Sequence, residues 1–332
     1  MTGYYRPLVQ HGAARPTEAV PLAGGAFWFT QVERLGRDTA PDIVSAAELS
    51  ATALERLTAP RADFAGLRMY EPQVMGILNV TPDSFSDGGR HCAPTAARQA
   101  ALDMVRDGAT IIDIGGESTR PGAILVDEDE EIARTATVIA QFRAATSVAV
   151  SIDTRKARVA QAALAAGADI VNDVSGFTYD VALAPLCATQ GTPVCVMHSK
   201  GDPATMQNDP VYDNVLLDVY DFLETQIASL VRAGVSRDRI MVDPGIGFAK
   251  NQAHNLTILQ NISLFHGLGC AILLGASRKR FIGTIGMEPR ADARAPGSIA
   301  VALAALGQGV QVIRVHDVAE TAQAVRLWRA VL

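Results

Sequence analysis

The chain has 332 residues, of which 48% are hydrophobic and 19% are charged, a balance typical of a globular protein with a full-sized core. Its formal net charge of −6 argues against a sequence-independent nucleic-acid binder, because such proteins need clustered Lys and Arg against phosphates. No stretch approaches the roughly 20 apolar residues that cross a bilayer, so we expect neither a nucleic-acid nor a membrane partner.

The cysteines and the N-terminus indicate where the protein resides. The four cysteines, Cys92, Cys187, Cys195 and Cys270, form no CxxC pair, and most lie in apolar stretches. This pattern is typical of reduced thiols in the core of a cytosolic protein. The first residues, MTGYYRPLVQ, lack the basic start and apolar run of a signal peptide. We therefore expect a cytoplasmic protein.

Residues 1–70 differ in composition from the rest of the chain. They are rich in Pro and Gly, contain the segment LAGGAFWF, and include one helical pattern, AAELSATALERL. We interpret them as an N-terminal extension, a hairpin and a helix that cover the lower end of the domain that follows. We assign them no chemistry.

From Gln73 onward, eight short apolar or β-branched runs alternate with helical patterns. They are VMGILNV (74–80), TIIDIG (110–115), VAVSID (148–153), DIVND (169–173), PVCVMH (193–198), IMVDP (240–244), AILLGAS (271–277) and VQVIRV (310–315). This alternation predicts a parallel sheet wrapped by helices, and eight βα units fit a closed (β/α)8 TIM barrel over residues 71–332. The alternative is an open doubly wound sheet, which usually has fewer strands and an early glycine-rich phosphate turn.

Polar residues recur where these runs end, although the inward side chains of a barrel strand should be apolar. In chain order they are Asn79, Glu117, Thr119, Asp153, Asn172, Asp173, His198, Asp243, Ser277, Lys279, Arg314 and His316. Taken singly, each has an ordinary interpretation, because an Asp after a strand is often a helix N-cap and Lys279 could belong to a solvated charge cluster. Taken together at one barrel mouth, they predict an active site.

The loops after the first two runs are unusual. NVTPDSFSDGG is rich in Pro, Asp and Gly and exceeds the usual βα connection of about 2 to 6 residues. GGESTRPGA combines backbone freedom with Thr119 and Arg120, which suits a lid over a substrate. An ordinary exposed loop is the alternative interpretation.

The chemistry of the strand-end residues suggests what they bind. Buried carboxylates and carboxamides match a flat heterocycle with alternating donors and acceptors. A guanidine-like edge is a natural partner for a buried Asp, and Asp243 and Asn172 are the candidates. Arg314, His316 and Asn79 lie on the last and first strands, where barrels often bind phosphate. These residues indicate a phosphorylated heterocycle as the substrate.

Five blocks of the sequence resemble the dihydropteroate synthase family: MGILNVTPDSFSDGG, DIGGESTRPGA, DPGIGFAK, LLGASRKRFIG and IRVHDV. They occur in the family's order from about Val74 to the C-terminus, and residues 1–70 lie outside the resemblance. The resemblance implies a transferase of folate biosynthesis. It would condense (7,8-dihydropterin-6-yl)methyl diphosphate with 4-aminobenzoate to give 7,8-dihydropteroate and diphosphate. It also implies Mg²⁺ as cofactor and a homodimer.

The resemblance also implies roles for the residues at matching positions. The pterin pocket would consist of Asp153, Asn172, Val174, Met197, Asp243, Phe248, Gly275 and Lys279. The diphosphate would contact Asn79, Thr119, Arg314 and His316, and Asn79 would also reach Mg²⁺. The 4-aminobenzoate site would consist of Phe85, Thr119, Arg120, Pro121 and Ser277. The residues expected to act in catalysis are Asp153, Lys279 and Arg314.

The mechanism that the resemblance implies is dissociative. Diphosphate leaves first, and the aromatic amine then captures a cation on the pterin methylene. Mg²⁺, Arg314 and His316 would neutralise the leaving group, while Asp153 would stabilise charge spread into the ring. The STRPGA and ASRKRFIG segments have the family's ordinary form, so we expect inhibition by sulfonamides.

Three other interpretations stay open. A pterin-binding methyltransferase barrel shares this architecture and a similar pocket, but it has no use for an anion site at Arg314 and His316. A Schiff-base lyase would use Lys279, its pKa lowered by Arg278 and Arg280. A non-catalytic paralogue would keep the pocket as a binding module.

Overall fold

The computed structural model of the protein describes residues 3–80, 93–117, 125–201 and 210–332. From Gln73 onward, the described chain forms a closed barrel of eight parallel strands surrounded by helices. The predicted (β/α)8 barrel is confirmed, and the alternative of an open doubly wound sheet is wrong.

The N-terminal extension contains more β-structure than one hairpin. It forms a three-stranded antiparallel sheet and a separate two-stranded hairpin. Its strands are β1 (Tyr4–Pro7), β2 (Val20–Pro21), β3 (Trp28–Phe29), β4 (Gln31–Leu35) and β5 (Asp42–Ser45). The sheet has the order β1-β4-β5, and β2 pairs with β3. Buried Phe29, Val32 and Leu57 give the extension a small core of its own.

The helical pattern AAELSATALERL is divided into two helices. A 3-10 helix at Ala46–Glu48 is followed by α1 (Ala51–Thr58). The division occurs because Leu49 takes an extended backbone conformation and Ser50 begins a new helix. The Ser50 hydroxyl accepts a hydrogen bond from the Ala53 N–H at 3.3 Å, a typical N-cap contact.

Each predicted apolar run forms one strand of the barrel. The strands are β6 (Gln73–Asn79), β7 (Ile111–Gly115), β8 (Ala149–Asp153), β9 (Ile170–Asp173), β10 (Val194–Met197), β11 (Ile240–Asp243), β12 (Ala271–Leu274) and β13 (Val312–Val315). Neighbours in sequence are neighbours in the barrel, and β13 closes it against β6. The strands end before Gly275 and His198, so these residues belong to the loops at the mouth.

A helix follows each barrel strand. The helices are α2 (Ala93–Asp107), α3 (Glu128–Arg143), α4 (Ala157–Ala165), α5 (Leu183–Gln190), α6 (Val215–Ala233), α7 (Gln252–Gln260), α8 (Arg280–Ile285), α9 (Ala295–Leu306) and α10 (Val318–Val331). The longest, α6, ends at Gly234 with φ of 105°, a left-handed conformation that glycine adopts without a steric cost.

The lower end of the barrel, at the N-terminal ends of its strands, is apolar. Its interior is filled by side chains such as Met75, Ile111 and Met241. Phe64 and Met69 from the N-terminal extension pack against them, and both are almost completely buried. The extension therefore contacts the barrel at the end opposite the predicted active site.

Arg61 connects the N-terminal extension to the lower end of the barrel through hydrogen bonds. It is 9% exposed and donates hydrogen bonds to four backbone carbonyls. They belong to Arg56 at 2.8 Å, Ala59 at 3.0 Å, His266 at 3.0 Å and Cys270 at 3.1 Å. Because the first two carbonyls lie in the extension and the last two in the barrel, the guanidinium joins the two parts.

Two further expectations concern the cysteines and the membrane. Cys187, Cys195 and Cys270 are buried free thiols, as predicted, and Cys92 lies outside the described residues. Among the residues that the structure describes, no helix is both long enough and apolar enough to cross a membrane.

Candidate active site

The upper end of the barrel, where the strands end, carries a set of polar side chains that we call the polar ring. Its members are Asn79, Asp113, Asp153, Asn172, Asp243, Lys279 and Arg314. All of them except Asp113 were predicted from the sequence. The contacts between them join strands from opposite sides of the barrel.

Arg314 is the centre of these contacts. Its Nε lies 2.6 Å from Asp113 Oδ2 on β7, and its Nη2 lies 2.8 Å from Asp153 Oδ2 on β8. The same Asp113 oxygen accepts a hydrogen bond from Asn172 Nδ2 on β9 at 3.2 Å. Charge-assisted bonds in a buried setting are stronger than exposed ones, so these contacts hold four side chains in fixed positions.

Asp113 was missed because we considered only residues at the strand ends. It lies in the middle of β7 and is 0% exposed. A signal was nevertheless present, since an acidic residue within the apolar run TIIDIG needs a buried partner. An unpaired charge there would cost several kcal/mol. The partner, Arg314, is 201 residues away in sequence.

Asp153 has the electrostatic character of a functional group. Burial raises its pKa to about 7, while Arg314 opposes the rise and Asp113 adds to it. One carboxylate oxygen is bonded to Arg314, and Oδ1 has no hydrogen-bond partner among the described residues. A buried carboxyl that titrates near neutral pH and keeps a free acceptor is a candidate catalytic group.

Asp243 lies at the end of β11, next to Gly275 and Arg314. Its Oδ1 accepts a hydrogen bond from the Gly245 N–H at 2.7 Å. A β-carbon at Gly275 would stand 3.5 Å from Asp243 Oδ2 and 3.9 Å from Arg314 Cδ. Burial raises the pKa of Asp243, against the effects of the Gly245 N–H and of Lys279. Asp243, Gly275 and Arg314 thus share one wall of the pocket.

Lys279 lies on the loop after β12 and faces the turn after β11. Its ammonium donates to the carbonyl of Ile246 and lies 4.3 Å from the centre of the Phe248 ring. Burial lowers the pKa of Lys279 to about 8, with Asp243 opposing and Arg314 adding to the effect. A half-buried cation over an aromatic ring suits a flat, polar ligand beside it.

The expected cause of the lowered Lys279 pKa is wrong. We attributed it to Arg278 and Arg280, but Arg278 is ion-paired with Asp317, with Nε 3.0 Å from Oδ2. Arg280 is exposed at the start of α8. The effect comes from burial and from Arg314, whose charge reaches the pocket from β13.

Asn79 and Asp153 lie close together beside Gly115. A β-carbon on Gly115 would stand 3.8 Å from Asn79 Oδ1 and 3.8 Å from Asp153 Oδ2. Because glycine has no side chain there, the two oxygens border a common space on the β6 to β8 side of the mouth.

Ser277 and His316 are in direct contact. The Ser277 hydroxyl accepts a hydrogen bond from the His316 N–H at 3.2 Å and lies 3.0 Å from His316 Nδ1. The resemblance to the family predicts Ser277 in the 4-aminobenzoate site and His316 in the diphosphate site. Their contact places these two predicted sites side by side.

The remaining predicted residues fall into three groups. Val174 and Met197 are buried at the ends of β9 and β10. Asp173 accepts hydrogen bonds from Ser175 N at 2.6 Å and Phe177 N at 2.7 Å, so it is a residue of the turn that follows β9. Four residues lie outside the described part of the chain: Phe85, Thr119, Arg120 and Pro121.

Glu117 takes part in a buried ion network at the base of the second loop. Its carboxylate lies 2.5 Å from Lys156 Nζ and 2.9 Å from Arg155 Nη2. Lys156 also lies 2.7 Å from Glu131 Oε2 and donates to Val126 O at 2.7 Å. Glu117 therefore belongs to this ion network and is not a member of the polar ring.

Comparisons with known proteins agree with this geometry. A family described as pterin binding enzyme matches residues 75–316. The dihydropteroate synthase of Escherichia coli (strain K12) is 43% identical over 271 residues, 82% of this chain and 95% of that protein. The structure of Xanthomonas albilineans dihydropteroate synthase with 4-aminobenzoic acid is 42% identical, with a TM-score of 0.77, and covers 82% of this chain and 98% of that one.

A second solved structure is equally similar. The Yersinia pestis dihydropteroate synthase in complex with a sulfonamide drug is 43% identical, with a TM-score of 0.76, and covers 80% of this chain and 96% of that one. The family match includes the positions of the whole polar ring and begins only after the N-terminal extension. The chain therefore belongs to the pterin-binding enzymes and, among them, to the dihydropteroate synthase family.

Proposed function

We propose that the polar ring binds (7,8-dihydropterin-6-yl)methyl diphosphate and that the enzyme joins its methylene carbon to the amine of 4-aminobenzoate. The products are 7,8-dihydropteroate and diphosphate. The observation that carries the proposal is the meeting of Asp153, Asn172, Asp243 and Lys279 at the upper end of the barrel, where Asp113 and Arg314 connect them. Family membership and the 4-aminobenzoic acid bound by the Xanthomonas relative support it.

The pterin binds between Asp243 and Lys279 in this proposal. The adjacent ring NH and amino group of a pterin form a pair of donors that a buried carboxylate can accept. Asp243 Oδ2, which lies near Gly275, is the oxygen that would accept them. Asn172 offers both an amide donor and an acceptor from β9, which is separated from the Asp243 strand by β10 alone. Met197 and Phe248 supply apolar surface against the faces of the ring.

Asn79, Arg314 and His316 form the proposed diphosphate site. In the structure Arg314 is paired with Asp113 and Asp153, so binding of diphosphate by Arg314 requires it to share or exchange these partners. His316 lies beside Ser277 at the end of β13. The three residues border β6 and β13, where barrels commonly bind phosphate.

The residues present fit Mg²⁺ as cofactor. Asn79 Oδ1 borders the space beside Gly115, close to Asp153. Among the described residues no group of three or more His, Cys, Asp or Glu could hold a metal alone. One amide oxygen suffices when the substrate's phosphate oxygens and water complete the shell, as Mg²⁺ usually requires. When bound, Mg²⁺ supplies Lewis-acid stabilisation of the departing diphosphate.

The side chains of the polar ring stabilise the charges that develop as the bond to diphosphate breaks. Arg314 offsets negative charge on the leaving group, and the Asp153 carboxylate stabilises positive charge that spreads into the dihydropterin ring. Lys279 and Asp243 hold the ring in place, so the methylene is fixed for attack by the amine. No covalent bond to the protein is needed.

The 4-aminobenzoate site remains a proposal that depends on the two loops. Phe85, Thr119, Arg120 and Pro121 would form it with Ser277, and sulfonamides would bind there in competition with 4-aminobenzoate. We also infer that the enzyme is cytoplasmic and acts as a homodimer.

Turnover tests the proposal directly. With Mg²⁺ and both substrates, the purified protein should release diphosphate and form 7,8-dihydropteroate in equal amounts. Omission of 4-aminobenzoate should abolish pteroate formation. A folded protein that binds the pterin diphosphate but yields no pteroate would instead be the non-catalytic paralogue.

A further inference from the structure

Lys250 lies buried behind the turn that connects β11 to α7. It is 3% exposed and has three polar contacts. It donates hydrogen bonds to Gly245 O at 2.9 Å and Phe248 O at 3.0 Å, and its Nζ lies 2.8 Å from His198 Nδ1. Burial lowers the pKa values of both Lys250 and His198. The proton between Lys250 Nζ and His198 Nδ1 can belong to either nitrogen. In both cases Lys250 keeps two N–H groups for the two carbonyls.

The turn that Lys250 holds has an unusual backbone. Gly245, Gly247 and Ala249 have φ values of 70°, 80° and 48°, so three of five consecutive residues are left-handed. A left-handed alanine costs roughly 1 to 2 kcal/mol and persists only where its surroundings impose it. Lys250 binds a carbonyl at each end of this turn, and Tyr212 donates to Ala249 O at 2.8 Å.

The same turn supplies three parts of the pterin pocket. The Gly245 N–H holds Asp243 at 2.7 Å, the Ile246 carbonyl accepts from Lys279, and the Phe248 ring lies 4.3 Å from the Lys279 ammonium. Lys279 therefore contacts the turn at Ile246 and Phe248, and Lys250 contacts it at the carbonyls of Gly245 and Phe248. The His198 ring packs edge-on against Phe222, with centroids 4.9 Å apart, which fixes the third partner of Lys250.

From this geometry we infer that Lys250 is a positioning residue for the pterin half of the reaction: it holds the turn at residues 244–249 in the shape that places Asp243, Phe248 and Lys279 around the heterocycle. The inference rests on the proposed function. It assigns Lys250 no contact with 4-aminobenzoate, whose proposed residues lie on other loops.

Lys250→Met tests the inference, with Arg61→Met as the matched control. Both substitutions remove a buried cation that binds backbone carbonyls, but Arg61 lies at the lower end of the barrel. We expect Lys250→Met to raise the KM for the dihydropterin diphosphate by roughly 10-fold to 100-fold, because small displacements of positioning groups have effects of this size. The KM for 4-aminobenzoate should change by less than about twofold. Arg61→Met should lower the Tm and leave both KM values unchanged.

Two outcomes overturn the inference. One is a folded Lys250→Met enzyme with an unchanged pterin KM, and the other is an equal rise in both KM values. If Lys250→Met does not fold, His198→Phe replaces it, since this variant keeps the ring packing and removes one contact of Lys250. It should raise the pterin KM alone, by a smaller factor, and no rise overturns the inference. A lack of turnover by the wild-type enzyme would contradict only the proposed function. In that case calorimetry still tests Lys250, by comparing the affinities of the wild type and of Lys250→Met for the pterin diphosphate.

Discussion

The two ends of the barrel are built from the same eight strands but differ in chemistry. β7 contributes Ile111 to the apolar lower end and, two residues later, the charged Asp113 to the upper end. β13 does the same with Val312 and Arg314. Because side chains alternate along a strand, one step of two residues moves from a layer that stabilises the fold to a layer that binds substrate.

This difference separates stability from activity along each strand. The lower end buries large apolar side chains, and each is worth about 1.5 to 3 kcal/mol relative to exposure. The upper end buries carboxylates and an arginine, whose loss of hydration offsets much of their mutual attraction. Substitutions at the two ends should therefore affect different measurements.

The largest expected effect on activity is that of Asp153→Asn. If Asp153 stabilises developing positive charge, kcat should fall by on the order of 10² or more, as for other preorganised charge contacts of ~3 kcal/mol. The substitution removes a buried charge and leaves Arg314 paired with Asp113, so the variant's Tm should not fall below that of the wild type. Met75→Ala, at the fully buried lower end, should show the reverse, a Tm lowered through a loss of about 2 to 5 kcal/mol with kcat retained. Near-wild-type turnover of Asp153→Asn would reject the role.

A smaller effect is expected for Asp113→Asn. The change weakens the bond to Arg314 Nε and leaves that guanidinium with Asp153 alone, so kcat/KM for the pterin diphosphate should fall roughly 10-fold, the equivalent of one charged hydrogen bond. The control is Ser151→Ala, because Ser151 faces Asp113 across the β7–β8 pair and its hydroxyl has no partner among the described residues. It should leave kcat/KM within about twofold. Similar losses of kcat/KM in both variants would mean that Asp113 contributes only to packing between the strands.

The activity of the enzyme and the stability of its fold should depend on pH in opposite ways because of Asp153. Since burial raises the pKa of Asp153 to about 7, its carboxylate is lost as the pH falls through 7, and kcat/KM should decline below that pH. For the fold the sign is opposite. Because burial raises the pKa of Asp153 from its ordinary value of 3.8 to about 7, the stabilising contribution of the protonated form is present below about pH 4 and is lost as the pH rises from there through 7. The wild type should therefore lose stability relative to Asp153→Asn as the pH rises from about 4 to 7, measured by denaturant unfolding. A flat rate profile between pH 6 and 8 would contradict the assignment.

The smallest expected effect concerns a cavity at the lower end. This cavity of about 430 Å³ is lined in part by Phe27, Tyr70 and Trp328. A sulfonamide should inhibit competitively with 4-aminobenzoate at the upper mouth, and Trp328→Ala should leave the inhibition constant unchanged. Non-competitive inhibition, or inhibition that the substitution weakens, would place the drug at the lower cavity.

Much of the site was predictable because barrel topology makes strand ends converge. Asp153, Asn172 and Asp243 each follow a readable apolar run, so their meeting followed from the count of strands. The error about Lys279 arose because charges adjacent in sequence were taken as neighbours in space. Arg278 points to Asp317 instead, and Arg314, distant in sequence, acts on Lys279.

The sequence by itself determined the number of barrel strands, the end of the barrel that carries the chemistry, and the family. These depend on hydrophobic periodicity and on residues at strand ends, which are local properties. Only the tertiary structure decided which charges pair and what holds the turn after β11. Asp113 meets Arg314, and Lys250 meets His198, through separations of 201 and 52 residues. Buried groups need partners, but the closure of the barrel determines which partners lie within reach.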